Sequence, residues 1–265
     1  MTDAPVYLDN NATTPLDPRV REAMLPWLGE KHGNPSSIHR YGRQAREAVE
    51  GAREQVAALL GVEPLEVVFT ASGTEANNAV LLDVGRRARF SGRVVHSAFE
   101  HPSVRLAAEL LAAAGMEAVA VRPDGDGTVD AGELLAAVGE DTRVVSLMLA
   151  NNEVGTLQPV AEVAAACRER GVPVLCDAVQ AIGKVEVDAR ALGVDFLTLG
   201  GHKFHGPLGA AALYVRGRTE FEPLLVGGAQ ERRRRAGTEN VAAVVGLGTA
   251  ARVARQELAR RHEHL

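Results

Sequence analysis

Short, continuously apolar runs alternate along this chain with longer stretches in which apolar and charged residues recur at helical spacing. The runs fall at Val67–Thr70, Arg93–Ser97, Ala118–Val121, Arg143–Met148, Val172–Asp177, Phe196–Leu199 and Ala210–Val215. Between most of them lie amphipathic stretches rich in Ala, Leu, Glu and Arg: Arg40–Leu60, Glu75–Arg89, Ser103–Ala114 and Ala161–Arg170. Strands that are apolar throughout, and separated by helices, are buried on both faces and pair mostly in parallel. The pattern therefore predicts an α/β fold with a mostly parallel seven-stranded sheet and helices on both faces. A last stretch, Asn240–Leu265, reads as one long helix with no Gly or Pro near its end. Sheets of this kind take ligands beyond the carboxyl ends of their strands.

Composition narrows the possibilities. With 265 residues, 46% of them hydrophobic, the chain can bury one large core. A net charge of -5 gives no global basic field, so no nucleic-acid partner is expected. The exception is Arg232-Arg233-Arg234-Arg235, which lies between Gly227-Gly228 and Gly237 and so reads as a shaped connection. Cys167 and Cys176 supply neither a disulfide framework nor metal-ligand spacing, which makes a reducing, cytoplasmic location the expectation. No basic-then-apolar leader and no run of about 18 apolar residues is present, so no membrane span is expected.

Lysine is scarce: Lys31, Lys184 and Lys203 are the only ones, and Arg carries nearly all the positive charge. Lys203 closes the run Phe196-Leu197-Thr198-Leu199-Gly200-Gly201-His202-Lys203. Unlike Arg, a lysine can lose its proton and act as an amine nucleophile, as in a Schiff base. The preceding run ends in Asp177, an acid at a neighbouring strand end. Such an acid and lysine are the pair that a pyridoxal 5'-phosphate (PLP) site requires, one for the pyridinium nitrogen and one for the aldehyde carbon, the plain alternative being a buried Asp and an incidental Lys.

Three other segments could complete such a site. Phe69-Thr70-Ala71-Ser72-Gly73-Thr74-Glu75 reads as strand, turn and helix start, with Ser72 and Glu75 at capping-box spacing. There Gly73 and Thr74 would offer an anion site, although an ordinary helix cap explains the segment equally well. His101, in Glu100-His101-Pro102-Ser103, could lie on a cofactor ring or shuttle protons, or serve only a structural role. Asn151-Asn152 beyond the fourth run could bond a ring oxygen, or simply form a turn. Asp124-Gly125-Asp126-Gly127-Thr128 looks like a calcium loop, but Val129 and Leu135 stand where Gly and Glu are needed, so a turn and an Asp130 helix cap are simpler. Gly246-Leu247-Gly248 imitates a dinucleotide fingerprint inside a helix, without the strand such a motif needs. Cys176 adjoins Asp177 and so points to the opposite sheet face, and Cys167 sits on an Ala-rich helix; both read as small buried residues.

Several segments together resemble the cysteine desulfurases of the NifS/IscS type, within the class V aminotransferase group of PLP enzymes. They are Tyr7-Leu8-Asp9-Asn10-Asn11-Ala12-Thr13-Thr14, Gly33-Asn34-Pro35-Ser36-Ser37, Asn151-Asn152-Glu153-Val154-Gly155 and Asp177-Ala178-Val179-Gln180. Gly201-His202-Lys203-Phe204-His205-Gly206-Pro207, Gln230-Glu231-Arg232 and Arg235-Ala236-Gly237-Thr238-Glu239-Asn240 continue the series. The resemblance implies the large domain of fold type I PLP-dependent transferases over 16–255. It assigns 1–15 to a small domain and makes 256–265 the start of a helix leading to the rest of that domain. It also implies roles: Lys203 holds PLP, Asp177 pairs with its ring nitrogen, Gln180 and Asn152 bond the ring oxygen, and His101 stacks on the ring. Gly73, Thr74 and His202 would hold the phosphate, Thr238 would reach the phosphate of a partner subunit in a homodimer, and L-cysteine would be the substrate.

Two departures from the family pattern stand out. Gly200 occupies a phosphate-side position where the family usually has Ser, which removes one contact. The family's nucleophilic Cys and its carboxylate-gripping Arg lie well beyond Lys203, so the resemblance makes this chain a truncated desulfurase that does not complete sulfur transfer to an acceptor or scaffold protein alone. The competing readings are another class V PLP enzyme, such as a selenocysteine lyase or an aminotransferase-like one, and a non-catalytic PLP-binding fragment.

Overall fold

A computed structural model of the chain describes residues 5–217 and 219–264. In chain order the elements are α1 (Pro18–Leu28), α2 (Arg40–Leu60), β1 (Val67–Thr70), α3 (Gly73–Arg87), β2 (Arg93–Ser97), α4 (Pro102–Ala113) and β3 (Glu117–Val121). Then follow α5 (Ala131–Ala136), β4 (Thr142–Ser146), α6 (Val160–Glu169), β5 (Val174–Asp177), α7 (Ala189–Leu192), β6 (Phe196–Gly200), β7 (Ala211–Val215) and α8 (Val241–His264). All seven apolar runs became strands and all five helical stretches became helices, with ends displaced by a few residues; Leu265 lies outside the described residues.

The sheet order is β1-β7-β6-β5-β4-β2-β3. Neighbours are parallel except that β7 runs antiparallel to both β1 and β6. The period of two along each strand divides the interior into two cores. Val94, Val144, Leu175 and Phe196 pack under α3 and α4, whereas Val95, Val145, Cys176 and Leu197 pack under α2, α6 and α8. Cys176 therefore faces away from Asp177, as alternation requires. Cys167 is buried on α6. The turn at Asp124 is an Asx turn, its carboxylate accepting from the N–H groups of Asp126 and Thr128, and Asp130 caps α5.

The Arg-rich connection is shaped by one buried carboxylate. Glu231, Arg232 and Arg233 all have left-handed backbone, with φ of 44°, 56° and 66°. Each costs a non-glycine residue about 1–2 kcal/mol. Glu231 is clamped by Arg53 through two 2.7 Å bonds and by the Phe69 N–H at 2.8 Å, all buried. Arg53 also donates to the Val67 carbonyl and lies over the Phe69 ring. The loop is thereby fastened to β1, the strand that leads into α3.

Candidate active site

Four strands, β1, β2, β5 and β6, end on the same side of the sheet. The β1–α3 turn brings Ser72, Gly73 and Thr74; the β2–α4 turn brings His101 and Ser103; β5 and β6 end at Asp177 and just before Lys203. Together with Asn77, Asn152, Gln180, His202, Asp9, Asn11 and Ala12 they line one cavity of about 450 Å³. Of the residues singled out from the sequence, Gly73, Thr74, His101, Asn152, Asp177, Gln180, His202 and Lys203 meet here. Gly200 and Thr238 do not: Gly200 is buried at the end of β6, and Thr238 is exposed elsewhere on the chain. A Cβ at Gly200 would meet Val179 Cγ1 at an ordinary 3.5 Å, so space does not demand glycine there.

Asp177 is the fixed point. One carboxylate oxygen accepts from the Val179 N–H at 2.9 Å and the other from Asn77 Nδ2 at 2.7 Å. Burial pushes its pKa up, and these two bonds work against that rise. Deeper still, Glu100 is fully enclosed, and its pKa is pushed up to about 8 by burial first and then by the nearby Asp177 charge. Its Oε1 accepts from the Ser97 hydroxyl and the Met148 N–H, while Oε2 has no partner among the described residues.

The opposite wall is formed by the lysine turn and the segment before α1. Lys203 Nζ donates to the carbonyls of Asn11, at 2.5 Å, and Ala12, at 2.9 Å. Thr14 donates through its N–H and its hydroxyl to the His202 carbonyl, and Gln180 Nε2 donates to the Asn11 carbonyl. Burial lowers the Lys203 pKa, against the opposing pull of Asp177 and Asp9, so its amine loses a proton more readily than an exposed lysine. His202 is shifted down by burial and by Lys203.

Ser72 caps α3, its hydroxyl accepting from the Glu75 N–H, so the first N–H groups of the helix border the cavity. A Cβ at Gly73 would lie 2.8 Å from Val179 Cγ2, and only glycine fits without displacement. Asn152 lines the cavity, while Asn151 makes the turn, its side chain accepting from the N–H groups of Glu153 and Val154. The turn reading of that pair is thus realised by Asn151, while Asn152 is placed at the cavity. Sequence reasoning missed Asn77, Ser103 and Glu100. Asn77 lies one helical turn beyond Gly73, which puts both on one face of α3; that spacing was the available signal.

The sequence profile of the aminotransferase class-V family matches residues 6–265. The chain belongs to that family. It is 46% identical over 246 residues to a cysteine desulfurase of Trichormus azollae, covering 93% of this chain and 62% of that protein. This class-V chain thus spans under two thirds of the length of that relative. Among solved structures, a NifS-like protein superposes with a TM-score of 0.96 at 41% identity, covering 98% of this chain and 72% of the other. SspA in complex with cysteine gives 0.91 at 34% identity, covering 93% and 72%. The fold is the one that NifS-like proteins adopt. Among the described residues no helix is long and apolar enough to cross a membrane, and no group of three or more His, Cys, Asp or Glu side chains could hold a metal.

Proposed function

We propose that this chain is the cofactor-binding part of a PLP-dependent cysteine desulfurase, which releases L-alanine from L-cysteine and passes the sulfur on as a persulfide for iron–sulfur cluster assembly. One observation carries the reading: Lys203 and Asp177 line the same cavity as an open helix N-terminus. The residues suit PLP. The Gly73–Thr74 end of α3 suits a phosphate because its unpaired N–H groups and dipole favour an anion. Asp177, buried without a cation among its bonding partners, suits a protonated ring nitrogen. The bound cofactor would supply an electrophilic carbon and an electron sink for charge developing on the substrate.

The chain's own groups then divide the work. The Lys203 amine, its pKa lowered by burial, holds the cofactor and moves the substrate proton. With the cofactor bound, Asp177 would keep a negative charge for the ring nitrogen. Asn152 and Gln180 would orient the ring through its oxygen, and His101 would cover its face. In a homodimer, Thr238 on the Arg-rich loop would reach the second copy's phosphate.

The acceptor thiol comes from outside these 265 residues. Cys167 and Cys176 are both buried and neither lines the cavity. Burial pushes the Cys167 pKa up to about 11 and raises Cys176 as well, so neither is a ready thiolate at neutral pH.

The test is to add PLP to the purified chain, reduce with borohydride and map the labelled peptide. The label is expected on Lys203 and absent from Lys203→Ala; label on Lys184 or Lys31 would sink the assignment. L-Cysteine should change the visible spectrum of the loaded chain, with alanine released only when an external thiol is supplied.

A further inference from the structure

Behind His101 lies a chain of hydrogen bonds whose direction can be read bond by bond. Asn77 on α3 is 1% exposed, and its Nδ2 contacts both Asp177 Oδ2, at 2.7 Å, and Ser103 Oγ, at 2.9 Å. An amide nitrogen has two hydrogens, and both are used here. Flipping the amide would set its oxygen against the Asp177 carboxylate. Ser103 Oγ therefore accepts from Asn77, and its own hydrogen is free to go onward. His101 Nδ1 lies 2.8 Å from that hydroxyl and also accepts from the Ser103 backbone N–H at 3.1 Å. A backbone N–H can only donate, so Nδ1 must carry a lone pair. The hydroxyl then donates to Nδ1 as well, and the proton of the neutral ring sits on Nε2.

We propose that Asn77 and Ser103 are positioning residues that fix His101 as its Nε2–H tautomer and tie the ring to Asp177. Nδ1 is occupied at the start of α4, which leaves Nε2 as the nitrogen available to the cavity that His101 lines. Neutral His101 thus meets whatever occupies the cavity as a hydrogen-bond donor. The same amide that aligns the Asp177 carboxylate sets that polarity, so the acid and the histidine are oriented by one side chain. The meaning of this for desulfuration rests on the function proposed above; the tautomer does not.

The test is a two-bond proton–nitrogen correlation spectrum of the cofactor-free chain labelled with nitrogen-15 histidine, recorded at alkaline pH. His101 is assigned by the signal lost in His101→Gln. The expected result is a dominant Nε2–H pattern. Ser103→Ala should lower the tautomer ratio about tenfold, the factor that loss of one strong hydrogen bond produces. Ser103→Thr keeps the hydroxyl and should restore the ratio, which separates the effect from general loosening of α4. Asn77→Leu removes both donors and should shift the ratio in the same direction as Ser103→Ala. An Nδ1–H pattern in the unaltered chain, or a ratio indifferent to Ser103→Ala, overturns the proposal; indifference to Asn77→Leu removes Asn77 from it. The spectrum needs no cofactor, so a chain that shows the Nε2–H tautomer yet takes up no PLP would defeat the desulfurase reading and leave the network standing.

Discussion

On one wall of the cavity Asp177, Asn77 and Ser103 are 4%, 1% and 7% exposed and cross-linked by short hydrogen bonds. On the other, half-buried Lys203 is tied to carbonyls of a segment that is exposed from residue 5 to residue 12. The first wall is hard to move, because a buried polar group that loses its partner bears the full cost of desolvation. The second can exchange its bonds with water at little cost, and such segments open locally well before the core does. The difference suits the two roles proposed above for Asp177 and Lys203. A charge that must stay opposite a ring nitrogen belongs in a rigid, dry setting. An amine that must leave one partner for another belongs where letting go is cheap.

The sharpest way to break this contrast is from behind the rigid wall. Glu231→Ala takes from the Arg53 guanidinium, 2% exposed, its buried carboxylate partner, leaving it only the exposed Glu50, and removes the bond that ties the left-handed loop to the Phe69 N–H of β1. Breaking a buried pair in this way costs about 3–5 kcal/mol, which should lower the urea midpoint strongly. A midpoint within experimental error of the unaltered chain would show that the clamp is not what braces β1.

Next in size is a pH effect at Glu100. Its carboxyl titrates near 8 when folded, against the ordinary 4.5 when unfolded. Between those values the folded state holds more protons than the unfolded one, so stability falls as pH rises and levels off above about 8. Asp177, also shifted upward, adds a slope of the same sign. Glu100→Gln imitates the protonated form and should flatten the fall, gaining on the order of a few kcal/mol at alkaline pH relative to the unaltered chain. Urea midpoints at mildly acidic and alkaline pH measure this, and parallel curves for the two proteins would contradict it.

The smallest effect belongs to the soft wall. Thr14→Val removes the hydroxyl that donates to the His202 carbonyl and accepts from the His205 N–H at 2.7 Å. Two partly exposed bonds are worth about 1–2 kcal/mol, felt locally rather than globally. Hydrogen exchange should quicken at His205 while strands β5 and β6 keep their protection. Uniform loss of protection would erase the distinction between the walls.

Much of this was legible in the chain. The seven apolar runs gave the strands, the scarcity of lysine drew attention to Lys203, and the strand-end position of Asp177 paired it with that lysine. The helix start at Gly73 was visible from its cap. Asn77 and Ser103 went unassigned because an Asn inside a helix and a Ser in its first turn have ordinary structural uses, and nothing local distinguishes them. Glu100 went unassigned because burial is what makes it unusual, and its neighbours in sequence do not show burial.

What the sequence determined alone is the succession of elements and the placement of reactive side chains at strand ends, because periodicity and capping act over a few residues. Tertiary structure decided the partners. Asn77 meets Asp177 across 100 positions, Arg53 meets Glu231 across 178, and Lys203 meets Asn11 across 192. It also turned β7 antiparallel between β1 and β6 and left Thr238 outside the cavity. These outcomes depend on how the sheet orders its strands and on which buried polar groups then find one another, and neither is written in any local stretch of the chain.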